Sequence, residues 1–471
     1  MSSLSALNSL LSGSSSSSSG INLTEILQAA LGASSPGIDV NTAVSAAITA
    51  AEAPEQTWLS QESLIQSQTS ALNSLQSGVS TLDSDLLSLN NLMGPLSANT
   101  VASSNSGIVT GSAVSGTAAG NHVVVVNSLA STASWASGTV ASASTPLAAG
   151  SFTITGADGT VTTISTGTGT STLNDVASTI NADNLGVTAS VVTDASGARL
   201  AIVSNTSGSA ANFSVGSGGG LTFGQIVSGS NASFSVDGLS LSSASNTVTG
   251  AVPGMTLNLL SASPGTQVSL TVAPDTTQAS TAINQFVTDY NAVISGLNSQ
   301  FEDSGSGQGV LATDPTVRNL QSELLGALSY TYSRSSGTTS IPNLSSMGVS
   351  VNKDGTLSVD SATLNNALQN HYSDVQSFFQ GTAFNGFAGS LDQQLTGFLS
   401  PADGAFTVDL QSLSSQYSTL QSDVTNFQNN VIAPLQQQLQ AKYSQAEILL
   451  QQLPTEMKQI DQELGYNNSN G

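Results

Sequence analysis

The fold of this chain is decided by residues 58–93, which read WLSQESLIQSQTSALNSLQSGVSTLDSDLLSLNNLM. Large apolar side chains stand seven residues apart there: Trp58, Ile65, Leu72, Val79, Leu86 and Met93. The companion positions hold Leu75, Leu82 and Leu89, preceded by Gln61 and Gln68. A heptad repeat is typical of a helix that packs one apolar seam against other helices. The stretch therefore predicts a long helix with a coiled-coil seam that is more polar at its N-terminal end.

A shorter amphipathic helix is predicted directly upstream. Asp39 suits an N-cap, and apolar residues then recur at helical spacing to about residue 53. Pro54 either ends this helix or begins the next one at its first turn. Gly94 and Pro95 end the heptad helix.

The C-terminus repeats this arrangement. One seven-residue series comprises Phe406, Leu413, Leu420 and Phe427, and its companion comprises Leu410, Tyr417, Val424 and Val431. Beyond Pro434 the pattern resumes in a shifted phase, with Leu439, Ala446, Leu453 and Ile460 beside Tyr443, Leu450, Met457 and Leu464. An inserted stutter produces such a shift. Pro434 and Pro454 are expected to kink or interrupt the helix.

Helices with one apolar stripe are unstable alone in water, so both ends must pack against another helix. The spacing allows either the other end of the same chain or a neighbouring subunit as the partner. We call these terminal helices the legs. The residues expected to pack the legs or the oligomer are Ile38, Val40, Val44, Ile48, Trp58, Ile65, Leu72, Leu75, Val79, Leu82, Leu86, Leu89, Leu413, Leu420, Val424 and Phe427.

The middle of the chain has the alternation and turn signals of β structure. Strands are predicted at 122–126, 152–154, 187–191, 200–203, 234–236, 255–259 and 268–272. Tight hairpins are predicted at Asp158-Gly159, Ser196-Gly197 and Asp237-Gly238. A single helix, 172–182, interrupts the strands. Helices return after Asp275, Asp314 and Asp360, three residues suited to N-caps, with a small hairpin at Asp354-Gly355.

These patterns predict an α+β multidomain protein, in which a helical coiled-coil or bundle stalk from both chain ends carries β-rich head domains inserted in the middle. The expected segments are a disordered Ser-rich tail at 1–36, leg helices at 37–100, the first half of a β head domain at 101–147, an outermost inserted head domain at 148–228, the second half of the head at 229–275, a helical domain at 276–400, and C-terminal leg helices at 401–471.

Composition excludes several functions. The chain has 471 residues, of which 38% are hydrophobic and only 7% charged. Six basic residues stand against 29 acidic ones, a net charge of −23, so nucleic acid and anionic membrane surfaces would repel it. No stretch is apolar for long enough to insert into a membrane. There is no cysteine, which excludes disulfides and thiolate sites. No cleaved leader is visible at the N-terminus.

Candidate catalytic groups are scarce. His122 and His371 are better explained as structural or surface residues, and Asp83 and Asp85 as solvated charges on different sides of a helix. No nucleophile elbow or phosphate loop occurs, and residues 352–355 suit a hairpin better than a calcium loop. We therefore expect no enzyme, no cofactor and no metal site.

Four segments in order resemble the flagellar filament cap family, also called hook-associated protein 2. Gly37-Ile38-Asp39-Val40, followed by Val44, Ile48, Glu52, Ala53 and Pro54, is similar to its N-terminal signature. Residues 172–200 resemble its flagellin-type hook repeat, 275–291 its central helix, and 347–379 its C-terminal block. Together these resemblances cover most of residues 37–464.

The resemblance implies a secreted, extracellular protein at the tip of the bacterial flagellum. It implies a pentamer-like homo-oligomeric ring that promotes folding and insertion of exported flagellin, and so filament elongation and motility. Flagellin, hook-filament junction proteins, the flagellar type III export machinery and an export chaperone are the implied partners. An extracellular adhesin or binding module on a helical stalk, acting in cell adhesion, is the alternative.

Overall fold

The computed structural model describes residues 40–463, except 168–170, 304, 306, 335–338 and 383–384. The predicted Ser-rich tail at 1–36, together with Ile38, Asp39 and Leu464, lies outside the described residues. Within them the chain forms leg helices, a helical domain and two β domains.

The helices reproduce the sequence pattern closely. In chain order they are α1 (Val40–Ala51), α2 (Ala53–Asn90), α3 (Leu173–Ala182), α4 (Thr276–Phe301), α5 (Pro315–Ala327), α6 (Ser361–Asn370), α7 (Tyr372–Gln380), α8 (Phe387–Leu399), α9 (Ala405–Phe427) and α10 (Ala433–Glu463). A π-helical turn, Gln428–Ile432, joins α9 to α10. Asp275, Asp314 and Asp360 each accept backbone N–H groups at a helix start, which confirms the predicted caps.

The prolines behave differently from one another. Pro54 lies in the first turn of α2, where its missing N–H costs nothing. Pro434 follows the π-helical turn, in which the Ala433 N–H donates to the Gln428 carbonyl one residue further back than in an α-helix. The predicted interruption at Pro434 is therefore confirmed. At Pro454 the helix is not interrupted, because α10 continues through it.

The strands fall into two domains and one hairpin. In chain order they are β1 (Asn99–Ser103), β2 (Val109–Ala113), β3 (Gly120–Ser128), β4 (Thr132–Ser137), β5 (Ser151–Thr155), β6 (Val161–Ser165), β7 (Val187–Asp194), β8 (Gly197–Ser207), β9 (Ser214–Val215), β10 (Phe223–Val227), β11 (Ala232–Val236), β12 (Leu239–Ser243), β13 (Thr247–Thr249), β14 (Met255–Leu259), β15 (Val268–Pro274), β16 (Val349–Val351) and β17 (Leu357–Val359). Every strand and hairpin predicted above is present, and the hairpin at Asp237-Gly238 has the positive φ angles of a type I′ turn, 50° and 85°.

The helical domain, formed by α2 and α4–α8 with β16–β17, holds the largest core. Four fully buried phenylalanines, Phe286, Phe378, Phe379 and Phe387, contact one another with ring centroids 5.2–6.5 Å apart. The C-terminal part of α2 lies against α4, and Gly78 allows the close approach because a Cβ there would stand 3.3 Å from Val293. Burying each large apolar side chain contributes about 1.5–3 kcal/mol, so this core fixes α2 in place.

The inner β domain, 99–130 and 232–274, is built from two antiparallel sheets over one core. Their strand orders are β1-β15-β3-β11-β12 and β13-β14-β2. Val124, Phe234 and Leu270 from the first sheet are buried with Met255 and Leu257 from the second. This core shares no buried residue with that of the helical domain, as far as the described residues extend.

The inserted β domain, 132–227, has its own core. Sheets β10-β4-β8-β7 and β6-β5-β9 pack with α3, whose N-cap Thr172 forms a capping box with Asp175. The domain begins at Thr132, because β4 pairs with β8 and β10, so the predicted boundary at 148 is wrong. Sequence pattern missed β4 because its residues, TASWAS, include only one large apolar side chain, Trp135.

The chain enters and leaves the inserted β domain at one point. Ser131 and Ser230 form an antiparallel bridge: the Ser131 N–H donates to the Ser230 carbonyl at 2.9 Å, and the Ser230 N–H to the Ser131 carbonyl at 3.2 Å. Among the described residues, few further contacts reach the inner β domain, such as the hydrogen bond from Ser207 Oγ to the Ala244 carbonyl, 2.6 Å. The two domains are therefore joined by a narrow neck.

Replacing residues 132–229 with an Asn-Gly turn should leave the inner β domain folded. None of its buried core residues comes from the removed segment, and shortening a surface loop changes stability by only about 0.6 kcal/mol per halving of its length. Urea unfolding followed by circular dichroism measures the effect. Phe234→Ala, which truncates a core residue, serves as a control that must lower the midpoint; aggregation or loss of cooperative unfolding in the deletion variant would contradict a separable insert.

Candidate functional site: the paired legs

The N-terminal half of α2 packs against α9, so the two ends of the chain pair with each other. Trp58 meets Phe427 edge to face, with ring centroids 5.4 Å apart and planes at 88°. Further along, the Gln66 side-chain amide donates to the Tyr417 hydroxyl at 3.0 Å. Ile65, which lies between Trp58 and Gln66 in the sequence, is buried. Aromatic contact and neutral hydrogen bonding, rather than ion pairs, hold this seam.

A carboxylate lies inside the same seam. Glu55, in the first turn of α2, is buried and accepts a hydrogen bond from the Gln428 side-chain amide. Gln428 is the first residue of the π-helical turn, and Ile432 in that turn is buried. A carboxylate near a helix N-terminus is also favoured by the helix dipole. The π-helical turn is thus tied to the start of α2.

The outer part of each leg pairs as well. Ala43 and Val44 of α1 are buried against Tyr443 and Ala446 of α10. Partly buried apolar residues surround them: Val40, Ile48, Leu439 and Leu450. The small alanines let the two helices approach closely. The pairing partner that the heptads left open is therefore, within one copy, the other end of the same chain.

This pairing leaves several large apolar side chains of the legs exposed. Leu59 and Leu64 on α2 are 39% and 47% exposed, and Val408, Val431 and Ile448 on α9, the π-helical turn and α10 are 46–55% exposed. Apolar side chains that stay exposed on helices already paired are available for contact with a further protein.

The structure separates the predicted leg residues into two groups. Val40, Val44, Ile48, Trp58, Ile65, Leu413, Leu420, Val424 and Phe427 lie on the paired legs or at their junction with the helical domain. The assignment of the others to leg packing is wrong: Leu72, Leu75, Val79, Leu82, Leu86 and Leu89 are at most 7% exposed inside the helical domain. A heptad pattern shows that one face of a helix is apolar, but not which element covers it.

The prediction that Asp83 and Asp85 are solvated charges is also wrong. Asp83 lies beside Asp392 of α8, and Asp85 beside Asp289 of α4. Burial, followed by the neighbouring carboxyl group, raises the pKa of Asp83 to about 6 and the pKa of Asp85 to about 7. Their partners lie 200 residues or more away in sequence, so no local pattern could reveal them.

The two histidines lie away from the legs. His122 Nδ1 is 2.8 Å from Asp237 Oδ2, beside the hairpin of β11 and β12. His371 stands at the junction of α6 and α7, where its carbonyl accepts the backbone N–H groups of Asp374 and Val375. Among residues 40–463 as described, no three His, Asp or Glu side chains converge as metal ligands would. None of the described helices combines the length and apolar character that a bilayer span requires.

Comparison with known proteins connects this architecture to one family. The family model "Flagellar hook-associated protein 2 N-terminus" matches residues 36–133, and "Flagellar hook-associated protein 2 C-terminus" matches 229–455. The "Flagellin hook IN motif" matches 151–206, within the inserted β domain. The two named halves of one protein therefore flank that insert.

Two curated relatives are similar to this chain along most of their own length. The B-type flagellar hook-associated protein 2 of Pseudomonas aeruginosa is 27% identical over 435 residues, covering 84% of this chain and 88% of that protein. Flagellar hook-associated protein 2 of Aeromonas caviae is 27% identical over 432 residues, covering 83% and 90%.

A solved structure has the same fold over the described domains. The crystal structure of the D1-D2-D3 domains of the flagellar cap protein FliD from Escherichia coli superposes with a TM-score of 0.57 at 26% identity, covering 73% of this chain and 99% of that one. The sequence resemblance, the two family models and this shared fold lead to one conclusion: the chain belongs to the flagellar hook-associated protein 2 family.

Proposed function

We propose that this protein caps the growing flagellar filament as a homo-oligomeric ring at its tip, where it promotes folding and insertion of exported flagellin. Family membership places the protein at the flagellum, outside the cell. In the proposed arrangement the β domains form the outer plate of the ring. The legs reach down and contact the filament subunits.

The observation that carries this proposal is the set of large apolar side chains left exposed on the paired legs. Leu59, Leu64 and Ile448 remain exposed although α1, α2, α9 and α10 already pair with each other. Water is excluded from such a surface only when another protein covers it, and coiled helical surfaces suit helical partners. These exposed side chains therefore support docking of the legs on filament subunits or on neighbouring copies.

The seam composition supports a contact that can be remade as the filament grows. The ion pairs His122–Asp237, Arg199–Asp194 and Arg334–Asp374 lie in the β and helical domains, away from the α2–α9 seam. In that seam the buried Glu55 carboxylate is bonded to the neutral Gln428 amide. Separating the two helices there breaks no ion pair among the described side chains, whereas breaking a buried ion pair costs about 3–5 kcal/mol. Flagellin, hook-filament junction proteins, the export machinery and an export chaperone are the partners included in this proposal.

A deletion strain tests the proposed function directly. Cells lacking the protein should export flagellin into the medium as monomer and form no full-length filaments, because arriving subunits have no capped tip at which to insert. Flagellin in the culture supernatant is measured by immunoblotting, and filaments by electron microscopy. Expression of the intact chain should restore filaments; full filaments in the deletion strain, with loss of surface attachment instead, would refute the cap and favour an adhesin.

A further inference from the structure

Helix α2 carries two neighbouring aspartates that face two different helices. Asp83 meets Asp392 of α8, and Asp85 meets Asp289 of α4. Asp83 Oδ1 and Asp85 Oδ2 are buried, and no donor among the described residues reaches them. Burying a carboxylate oxygen without a donor is costly. A proton on one carboxyl of each pair would supply the missing donor.

Among the described residues, no cation lies at either pair. The ionisable residues on helices packed against α2 are Asp289 and Tyr290 on α4, His371, Tyr372 and Asp374 at α7, Asp392 on α8, and Asp409, Tyr417 and Asp423 on α9; α1 has none. Of the basic residues in the helical domain, Arg334 pairs with Asp374, and Arg318 donates to the Thr313 carbonyl. None of the ion pairs in the described part of the chain includes any of the four aspartates.

We infer that the Asp83–Asp392 and Asp85–Asp289 pairs form a pH-dependent joint, which fastens α2 to α8 and α4 while each pair holds one proton and loosens when that proton is lost. The inference concerns the folding of the chain itself and does not depend on the proposed function.

One of the pairs has a further hydrogen bond. Asp289 Oδ2 accepts from the Gln285 side-chain amide at 2.7 Å, which holds Asp289 in place on α4. Two carboxylates in contact cannot both ionise without strong repulsion, which is why one proton stays in the pair.

The raised pKa values fix the direction of the pH effect. The folded chain keeps protons that the unfolded chain releases near its ordinary pKa of 3.8. The stabilisation is therefore complete below that value and is lost as pH rises through about 6 for Asp83 and about 7 for Asp85. The joint should be tight near pH 5 and loose at pH 8.

The experiment measures hydrogen exchange of peptides from 72–90 in the full chain, across a urea series at pH 5, 6, 7 and 8, in EDTA at constant ionic strength. Rates are corrected for the intrinsic dependence of exchange on pH. Between pH 5 and 8 the ratio of closed to open α2 should fall by about tenfold or more, since one pKa unit corresponds to tenfold. A ratio that is constant or rises would overturn the inference.

Neutral variants identify the groups responsible. Asp83→Asn combined with Asp85→Asn keeps the shape and supplies a permanent amide donor, so the fall between pH 5 and 8 should disappear. Asp289→Asn with Asp392→Asn tests the same pairs from the other side and should also flatten the profile. Asp423→Asn, an exposed residue on α9, is the matched control and should retain the full fall. A double variant that still shows the wild-type fall would overturn the joint.

Discussion

Leu82→Asp should unfold the helical domain while both β domains stay folded. Leu82 is fully buried between α2 and the rest of that core, so the substitution removes apolar contacts and places a carboxylate in an apolar site. Truncating a buried leucine alone costs about 2–5 kcal/mol, and the buried charge adds to this. Domains of this size are stable by only about 5–15 kcal/mol.

The domain-by-domain outcome follows from the separate cores. The helical domain and the inner β domain have no buried residue in common within the described part of the chain. Limited proteolysis with mass spectrometry should therefore release an intact fragment spanning 99–274 from the Leu82→Asp protein. Leu87→Asp, on the same helix but 51% exposed, is the matched control and should unfold like the unmodified chain. Equal stability of the two variants would contradict the placement of α2 in the core.

Leu420→Asp should abolish filament growth without unfolding any domain. Leu420 lies half-buried on α9, outside the core of the helical domain, so its replacement costs far less stability than that of Leu82. Leu420 shares its heptad series with Phe427, which contacts Trp58 of α2. A new charge there would nevertheless loosen the pairing of α9 with α2, and with it the leg surface offered to other subunits. This result rests on the proposed function, whereas the result for Leu82 does not.

Complementation of the deletion strain measures this effect. Swimming in soft agar and filament length in electron micrographs should both be lost with Leu420→Asp, while circular dichroism and the urea midpoint of the purified protein stay close to normal. Ser422→Asp places the same charge on an exposed position of the same turn and should support normal filaments. Normal swimming with Leu420→Asp would show that this side of the leg makes no essential contact.

Features set by neighbouring residues are predictable from the sequence. The hairpins at Asp158-Gly159 and Asp237-Gly238 follow from it because turn geometry depends on two or three residues. The caps at Asp275, Asp314 and Asp360 follow because a side chain bonds to an N–H two or three residues ahead. Local patterns therefore predict the helical ends and the β-rich middle. The order of the motifs predicts the family.

Features set by distant contacts are not predictable in this way. The heptads of α2 are the same whether Leu72 and Leu86 face a neighbouring copy or the chain's own α4, so the pattern assigns them to the wrong surface. Asp83 looks solvated in the sequence because Asp392 is more than 300 residues away. The contact between Trp58 and Phe427 is an intermediate case. The heptad pattern identifies both residues as seam positions, but it does not show that they contact each other.

The α2–α9 seam depends on salt and temperature in different ways. Trp58 with Phe427, and Gln66 with Tyr417, carry no net charge, and the Glu55 carboxylate bonds to the neutral Gln428 amide, so among the residues described there, dissolved ions have no ion pair to screen. Changing the salt concentration should therefore leave this pairing nearly unchanged. Cooling acts differently, since apolar contacts weaken as temperature falls. The stability of the α2–α9 pairing should thus depend little on salt concentration and more strongly on temperature.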